Sequence, residues 1–356
     1  MSAILLLEDG TSFEGISLGV SGESIGEVVL YTGVVGYQEM MTDPTNAGKI
    51  LAFTYPLIGN YGIADRFNES RRCWIAGLIV KEQSRIRSNW EATEALPGFL
   101  KEQGLVAAGE VDTRTLTVKI RDDGQMLGIL STQGKRKAEL MEKLKESRKS
   151  PRRDFICQIS VDQIFEFKGT GSGPRIAVLD LGVCNSFLDQ IKALGCQILL
   201  LPYHVDADEI LSLKADGVVI SNGPEEDQAL PRVTETVRGL VGKVPLLGIS
   251  TGHEIISLAL GGKLKRMKVG HHGANYPVVP PSSCKGDITF QNHSFVVDEE
   301  TIKGRSDLQV TLRNLNDGSI EELQSSPLRF ISTQYYPISP GAGEVHEVFR
   351  RFLAVL

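Results

Sequence analysis

Residues 244–262 read VPLLGISTGHEIISLALGG. An apolar strand enters a tight turn, and an amphipathic helix leaves it and ends at a Gly261–Gly262 C-cap. Strand, sharp turn and helix in direct succession are the pattern of a nucleophile elbow, with Ser250 at its tip. No histidine–carboxylate pair stands in the chain where such a serine would need one. The same alternation extends upstream. RIAVLDLG (175–182), CQILLLPYH (196–204) and DGVVISNGP (216–224) are strand patterns, separated by the helical stretches NSFLDQIKALG (185–195) and ADEILSLKA (207–215). TETVRGLVG (234–242) is a further helix, and Leu188, Ile191 and Leu194 share one helical face. Strands divided by helices of this length predict an α/β, doubly wound, mostly parallel sheet with its site at the strands' carboxyl ends. SNGPEED (221–227) and GISTGHE (248–254) fall at those ends.

The N-terminal portion differs. AILLLED, TSFEGISLG, GEVVLYTGVVGY, KILAFTYP and WIAGLIVKE are short strand patterns broken by glycine, with helical patterns near 93–104, 113–123 and 133–149. The expected organisation is a strand-rich α/β domain over 1–150, a linker over 151–174 marked by PRRDF and KGTGSGP, and the doubly wound domain over 175–356. Two domains also suit 356 residues. A composition of 41% hydrophobic and 23% charged residues with net charge -6 describes a globular chain and argues against a general nucleic-acid or membrane-surface binder. The basic run KLKESRKSPRR (143–153) reads as a solvated linker. AILLL (3–7) lacks the basic start and length of a signal peptide, and no apolar stretch could span a bilayer, so a cytoplasmic location is expected. Cys73, Cys157, Cys184, Cys196 and Cys284 have no CxxC spacing, which fits reduced thiols. The histidines lack metal-ligand spacing, so neither metal nor cofactor is expected.

Several ordered segments carry a specific resemblance: GEVVLYTGVVGYQEMMTDPTN (26–46), TYPLIGNYG (54–62), DTRTLT (112–117), SNGP (221–224), GHHGANYPV (270–278) and QNHSF (291–295). Together the chain resembles the small, glutamine-hydrolysing subunit of carbamoyl-phosphate synthetase along nearly its whole length. The resemblance implies a class I glutamine amidotransferase domain at the C-terminus, a large synthetase subunit as partner, and a role in making carbamoyl phosphate for pyrimidine and arginine synthesis. In that family a cysteine at the elbow, in G-I-C-x-G-H-Q, attacks the glutamine amide. A histidine and a glutamate in a late H-P-E stretch serve it, and backbone N–H groups hold the oxyanion.

The residues that would do this chemistry differ here. Ser250 stands at the nucleophile position, Tyr336 at the base position and Ile338 at the orienting-acid position, in QYYPISPGAG (334–343). The glutamine-pocket positions implied by the resemblance are Gly33, Gly223, Glu225, Thr251, Glu254, Asn292, Ser294 and Phe295. Of these, Gly33, Glu225, Glu254 and Ser294 depart from the family pattern, which makes glutamine binding doubtful. A serine hydroxyl needs a neighbouring base, and a tyrosine with an ordinary pKa of roughly 10 is a poor one near neutrality. Losing a triad's base costs on the order of a million-fold in rate. A carboxylate at Glu225, beside the oxyanion turn, is expected to oppose developing negative charge. His293 is the best substitute base by position. His253, His271 and His272 read as structural, and His204 and His346 as surface residues. Three functions stay open at this point: a non-hydrolytic partner of an ammonia-using large subunit, a diverged pseudoenzyme binding another small ligand, and an amide hydrolase using Ser250.

Overall fold

A computed structural model describes residues 2–149, 154–167, 173–283 and 285–356. Cys284, the junction 150–153 and the glycine-rich stretch 168–172 lie outside the described residues. The chain divides into two compact units, one of Met1–Arg152 with Lys268–His272 and one of Arg153–Met267 with Gly273–Leu356.

The first unit is built on a closed barrel of β1 (Ser2–Leu7), β2 (Ser12–Ser17), β3 (Glu23–Tyr31), β4 (Ile50–Phe53), β5 (Gly77–Ile79), β6 (Val106–Gly109) and β7 (Met126–Ser131). Around the barrel the order is β1-β2-β6-β5-β4-β3-β7. The β3–β4, β4–β5 and β5–β6 pairs are parallel and the rest antiparallel. Closure was not predicted from the short strands, but it removes every exposed edge. The period-2 pattern fills the core: Leu5, Leu7, Val28, Leu30, Ile50 and Ala52 pack together with Leu116 and Ile120 of α1 (Thr113–Asp123). Asp112 caps that helix by accepting from the Thr115 N–H at 3.0 Å. Leu6, between the two inward leucines, faces the other way. There it meets Leu140 and Leu144 of α2 (Lys137–Lys149).

The second unit carries one ten-stranded sheet. Its strands are β8 (Phe165–Phe167), β9 (Arg175–Asp180), β10 (Gln197–Pro202), β11 (Gly217–Ile220), β12 (Leu246–Ile249), β13 (Leu264–Val279), β14 (Asp287–Val297), β15 (Gln309–Asn314), β16 (Ile320–Ser325) and β17 (Phe330–Thr333). The order is β8-β10-β9-β11-β12-β17-β16-β15-β13-β14. From β10 to β17 every pairing is parallel, as the alternation predicted. β16 and β15 then continue antiparallel, so the sheet is mixed, with a wing drawn from the residues after 263. The buried strands alternate between two cores. Ile176 and Val178 of β9 pack with Phe187, Leu188 and Ile191 of α3 (Asn185–Ala193), whereas Ala177 and Leu179 face Val233, Val237 and Leu240 of α4 (Leu230–Leu240). Burial on both faces is why these strands read as continuous apolar runs. Each such side chain contributes roughly 1.5–3 kcal/mol.

The described part of the expected linker is folded into this unit. Residues Ile156–Ile159 form a short helix, and the N–H groups of Phe155 and Ile156 at its start donate to the Asp227 carboxylate at 2.7 and 3.0 Å, while β8 pairs antiparallel with β10. Among the described residues no helix is long and apolar enough to cross a membrane.

Candidate active site

β12 delivers the chain to Ser250, and α5 (Thr251–Ala259) starts immediately after it. Ser250 has φ 53° and ψ −110°. A non-glycine residue there costs on the order of 1–3 kcal/mol, so its surroundings must over-determine it. They do. The Ser250 N–H donates to the Thr333 carbonyl on β17 at 2.7 Å, and its own carbonyl accepts from the N–H groups of His253 and Glu254 at 2.8 and 3.2 Å. Gly252 lets α5 lie directly on β11, because a Cβ there would overlap the Ile220 carbonyl oxygen. The Thr251 hydroxyl donates to the Gly223 carbonyl at 2.6 Å, fastening the elbow to the SNGP turn at the end of β11. The strand–turn–helix reading of 244–262 therefore holds in detail.

The tip of the elbow is buried and unengaged. Ser250 Oγ is 0% exposed and makes no hydrogen bond. Tyr336 is buried, packed edge-on to Phe187 at 5.3 Å between ring centroids and tilted against Phe290 at 5.5 Å. Its hydroxyl meets the Asn222 side-chain amide at 3.5 Å, the outer limit of a hydrogen bond. Ile338 is 40% exposed, and its N–H turns back to the Tyr336 carbonyl at 2.9 Å. It orients nothing.

Among the described residues no histidine is hydrogen-bonded to Ser250 Oγ. Nδ1 of His293 lies 2.8 Å from the Phe295 carbonyl and Nε2 lies 2.9 Å from the Gln291 side-chain oxygen, so the ring is held by its own strand, not by Ser250. His253 is fully buried and hydrogen-bonded through Nδ1 to Ser332 at 2.9 Å. Burial drives its pKa down to about 3, so it is neutral. His272 is buried and bonds Gln125 in the first unit at 3.0 Å. His346 is not a plain surface residue. Its side chain caps α6 (Glu347–Leu353) by accepting from the Val348 N–H, and burial lowers its pKa.

The residues expected at glutamine-pocket positions have local surroundings of their own. Glu225 was expected to bear on the oxyanion turn, but its Oε1 accepts from the N–H groups of Ser294 and Phe295 at 2.6 and 3.1 Å. Glu254 Oε1 accepts from Gln334 Nε2 at 3.1 Å. Asn292 is buried within β14, and Phe295 lies under the Arg266 guanidinium at 5.6 Å. Gly33 belongs to the first unit, where an added Cβ would strike the Tyr31 ring, so a serine does not fit the position without moving that ring.

Sequence reasoning missed Asn222 and Cys184. The Asn222 side chain accepts from the Cys184 N–H at 3.2 Å and donates to its sulfur at 3.3 Å, joining the loops after β9 and β11. The available signal was position, since both residues follow the carboxyl ends of adjacent parallel strands.

Two family models cover this chain: the carbamoyl-phosphate synthase small chain, CPSase domain, matches residues 5–130, and the glutamine amidotransferase class-I model matches 177–355. The chain belongs to the carbamoyl-phosphate synthase small-chain family. It is 39% identical to the carbamoyl phosphate synthase small chain of Listeria innocua, over 99% of this chain and 96% of that protein. It is 38% identical to the small chain of Clostridium acetobutylicum, over 99% of each. Against the pyrimidine-specific small chain of Bacillus subtilis the figure is 36%, over 100% and 96%. This family member thus keeps the elbow's backbone and presents a hydroxyl with no base in contact.

Proposed function

We propose that this chain is a small subunit that has lost glutamine hydrolysis and serves as a structural or regulatory partner of a carbamoyl-phosphate synthase large subunit running on free ammonia. The observation that carries the reading is the isolated Ser250 hydroxyl: buried, strained into the elbow and touched by no proton acceptor. Without a base a serine hydroxyl is not a nucleophile near neutral pH. The Tyr336 ring, wedged between Phe187 and Phe290, fills the place where the resemblance puts the imidazole. Full-length similarity to small chains, through both matched domains, supports retention of the large-subunit partner.

The test is co-expression with the large subunit of the same organism. Co-purification is expected, together with carbamoyl phosphate formation from ammonia and none from glutamine. Failure to bind removes the partner role; glutamine-dependent synthesis that vanishes in Ser250→Ala removes the loss of hydrolysis.

A further inference from the structure

In an extended strand, successive backbone N–H groups point to opposite sides. At Ser294 and Phe295 in β14 they do not: both converge on one oxygen, Glu225 Oε1, at 2.6 and 3.1 Å. Two consecutive N–H groups aimed at one point form a concave anion nest. The segment is held from within, because His293 Nδ1 lies 2.8 Å from the Phe295 carbonyl, two residues along. Ser294 is buried and Glu225 nearly so, at 8% exposure. Glu226 braces the same turn through Arg266, whose Nη1 donates to Glu226 Oε2 at 3.1 Å while its guanidinium lies over Phe295.

We propose that Glu225 is a built-in ligand of this nest, a plug that closes it to carboxylate-bearing small molecules, amino acids included. This rests on the reading of Ser294 and Phe295 as former glutamine-pocket positions. The chemistry of the plug is that of any bound carboxylate: one charged oxygen accepting two backbone N–H bonds in a water-poor site. A tethered ligand acts at millimolar or higher effective concentration, and a free carboxylate must exceed that to compete. The substitution at 225 therefore closes a site rather than merely altering it, independently of the elbow.

The test uses the full chain with selective nitrogen-15 labelling of serine and phenylalanine, titrated separately with acetate and L-glutamine. In the wild type the Ser294 and Phe295 amide signals are expected to stay fixed with both. In Glu225→Gly both signals are expected to move saturably with acetate, with a rise in Tm of a few degrees; glutamine moving them as well would assign an amino-acid pocket, and acetate alone a simple carboxylate nest. Should the glycine variant fail to fold, Glu225→Gln keeps an oxygen acceptor for both N–H groups without the charge, and acetate is expected to displace it. The proposal is overturned if the wild-type signals titrate with acetate, or if a folded variant's signals ignore it. Because the readout is binding, glutaminase turnover by the wild type would sink the proposed function without deciding the nest.

Discussion

Ser250→Cys supplies the thiol that the family resemblance places at the elbow, and under the proposed loss of hydrolysis it is expected to confer almost no glutaminase activity. The argument is about the thiolate. An ordinary thiol has a pKa near 8.5, which leaves roughly a quarter ionised at pH 8. Burial opposes ionisation, and in this same chain it pushes the half-buried Cys73 up to about 12, where about one thiol in ten thousand is ionised at pH 8. Position 250 is wholly buried with no cation or imidazole in hydrogen-bond contact. The start of α5 recovers part of this, at most on the order of 2 kcal/mol. The missing base that protonates the leaving ammonia costs a further 10²–10⁴-fold or so. The variant should fall about five orders of magnitude below an intact small chain in kcat/KM. The assay is ammonia release from glutamine, paired with the pH dependence of iodoacetamide alkylation measured against the wild type. Turnover within about 100-fold of an intact relative, or an added thiol that alkylates fully at pH 6, would mean a base reaches position 250 and would refute the reasoning.

Three further expectations follow from individual contacts. Ser250→Ala removes a buried hydroxyl that makes no hydrogen bond, so stability in urea should stay level or rise by up to about 1 kcal/mol; a clear loss would reveal a hidden partner. Arg351 grips the buried Glu322 with two bonds of 3.0 and 2.8 Å, tying α6 to β16, and Tyr335 donates to the same carboxylate at 3.0 Å. Arg351→Met strands that charge and should cost about 2–3 kcal/mol, discounted because the guanidinium is a third exposed; a loss under about 0.5 kcal/mol contradicts the pairing. His253 has its folded pKa depressed to about 3 while the unfolded imidazole titrates near 6.5, so the unfolded state takes up the proton first as pH falls. Stability should drop by about 1.4 kcal/mol per pH unit between roughly 6.5 and 3 from this residue, and His253→Gln should flatten that slope in urea melts.

Backbone features were legible because they obey short-range rules. The parallel alternation from 175 onward, the helix over 113–123 with its Asp112 cap, and the elbow at 248–252 each follow from periodicity and turn chemistry within about ten residues. Barrel closure and the antiparallel wing depend on pairings between strands far apart in sequence, such as β1 with β7, and no local pattern encodes them. Side-chain destinations were least legible. Glu225 was read by its charge and neighbourhood as an influence on the oxyanion turn, but a buried carboxylate goes where hydrogen-bond donors are, and here they are two N–H groups of β14, the first sixty-nine residues along the chain. The same logic explains His293. Its sequence position near the pocket suggested a base, but its Nδ1 lies 2.8 Å from the Phe295 carbonyl and its Nε2 faces the Gln291 side chain at 2.9 Å, so the ring is directed along β14 rather than at Ser250. If hydrolysis is lost as proposed, Ser250 lacks a base because nearby polar groups have found other partners, and restoring activity requires redirecting those partners as well as replacing the nucleophile.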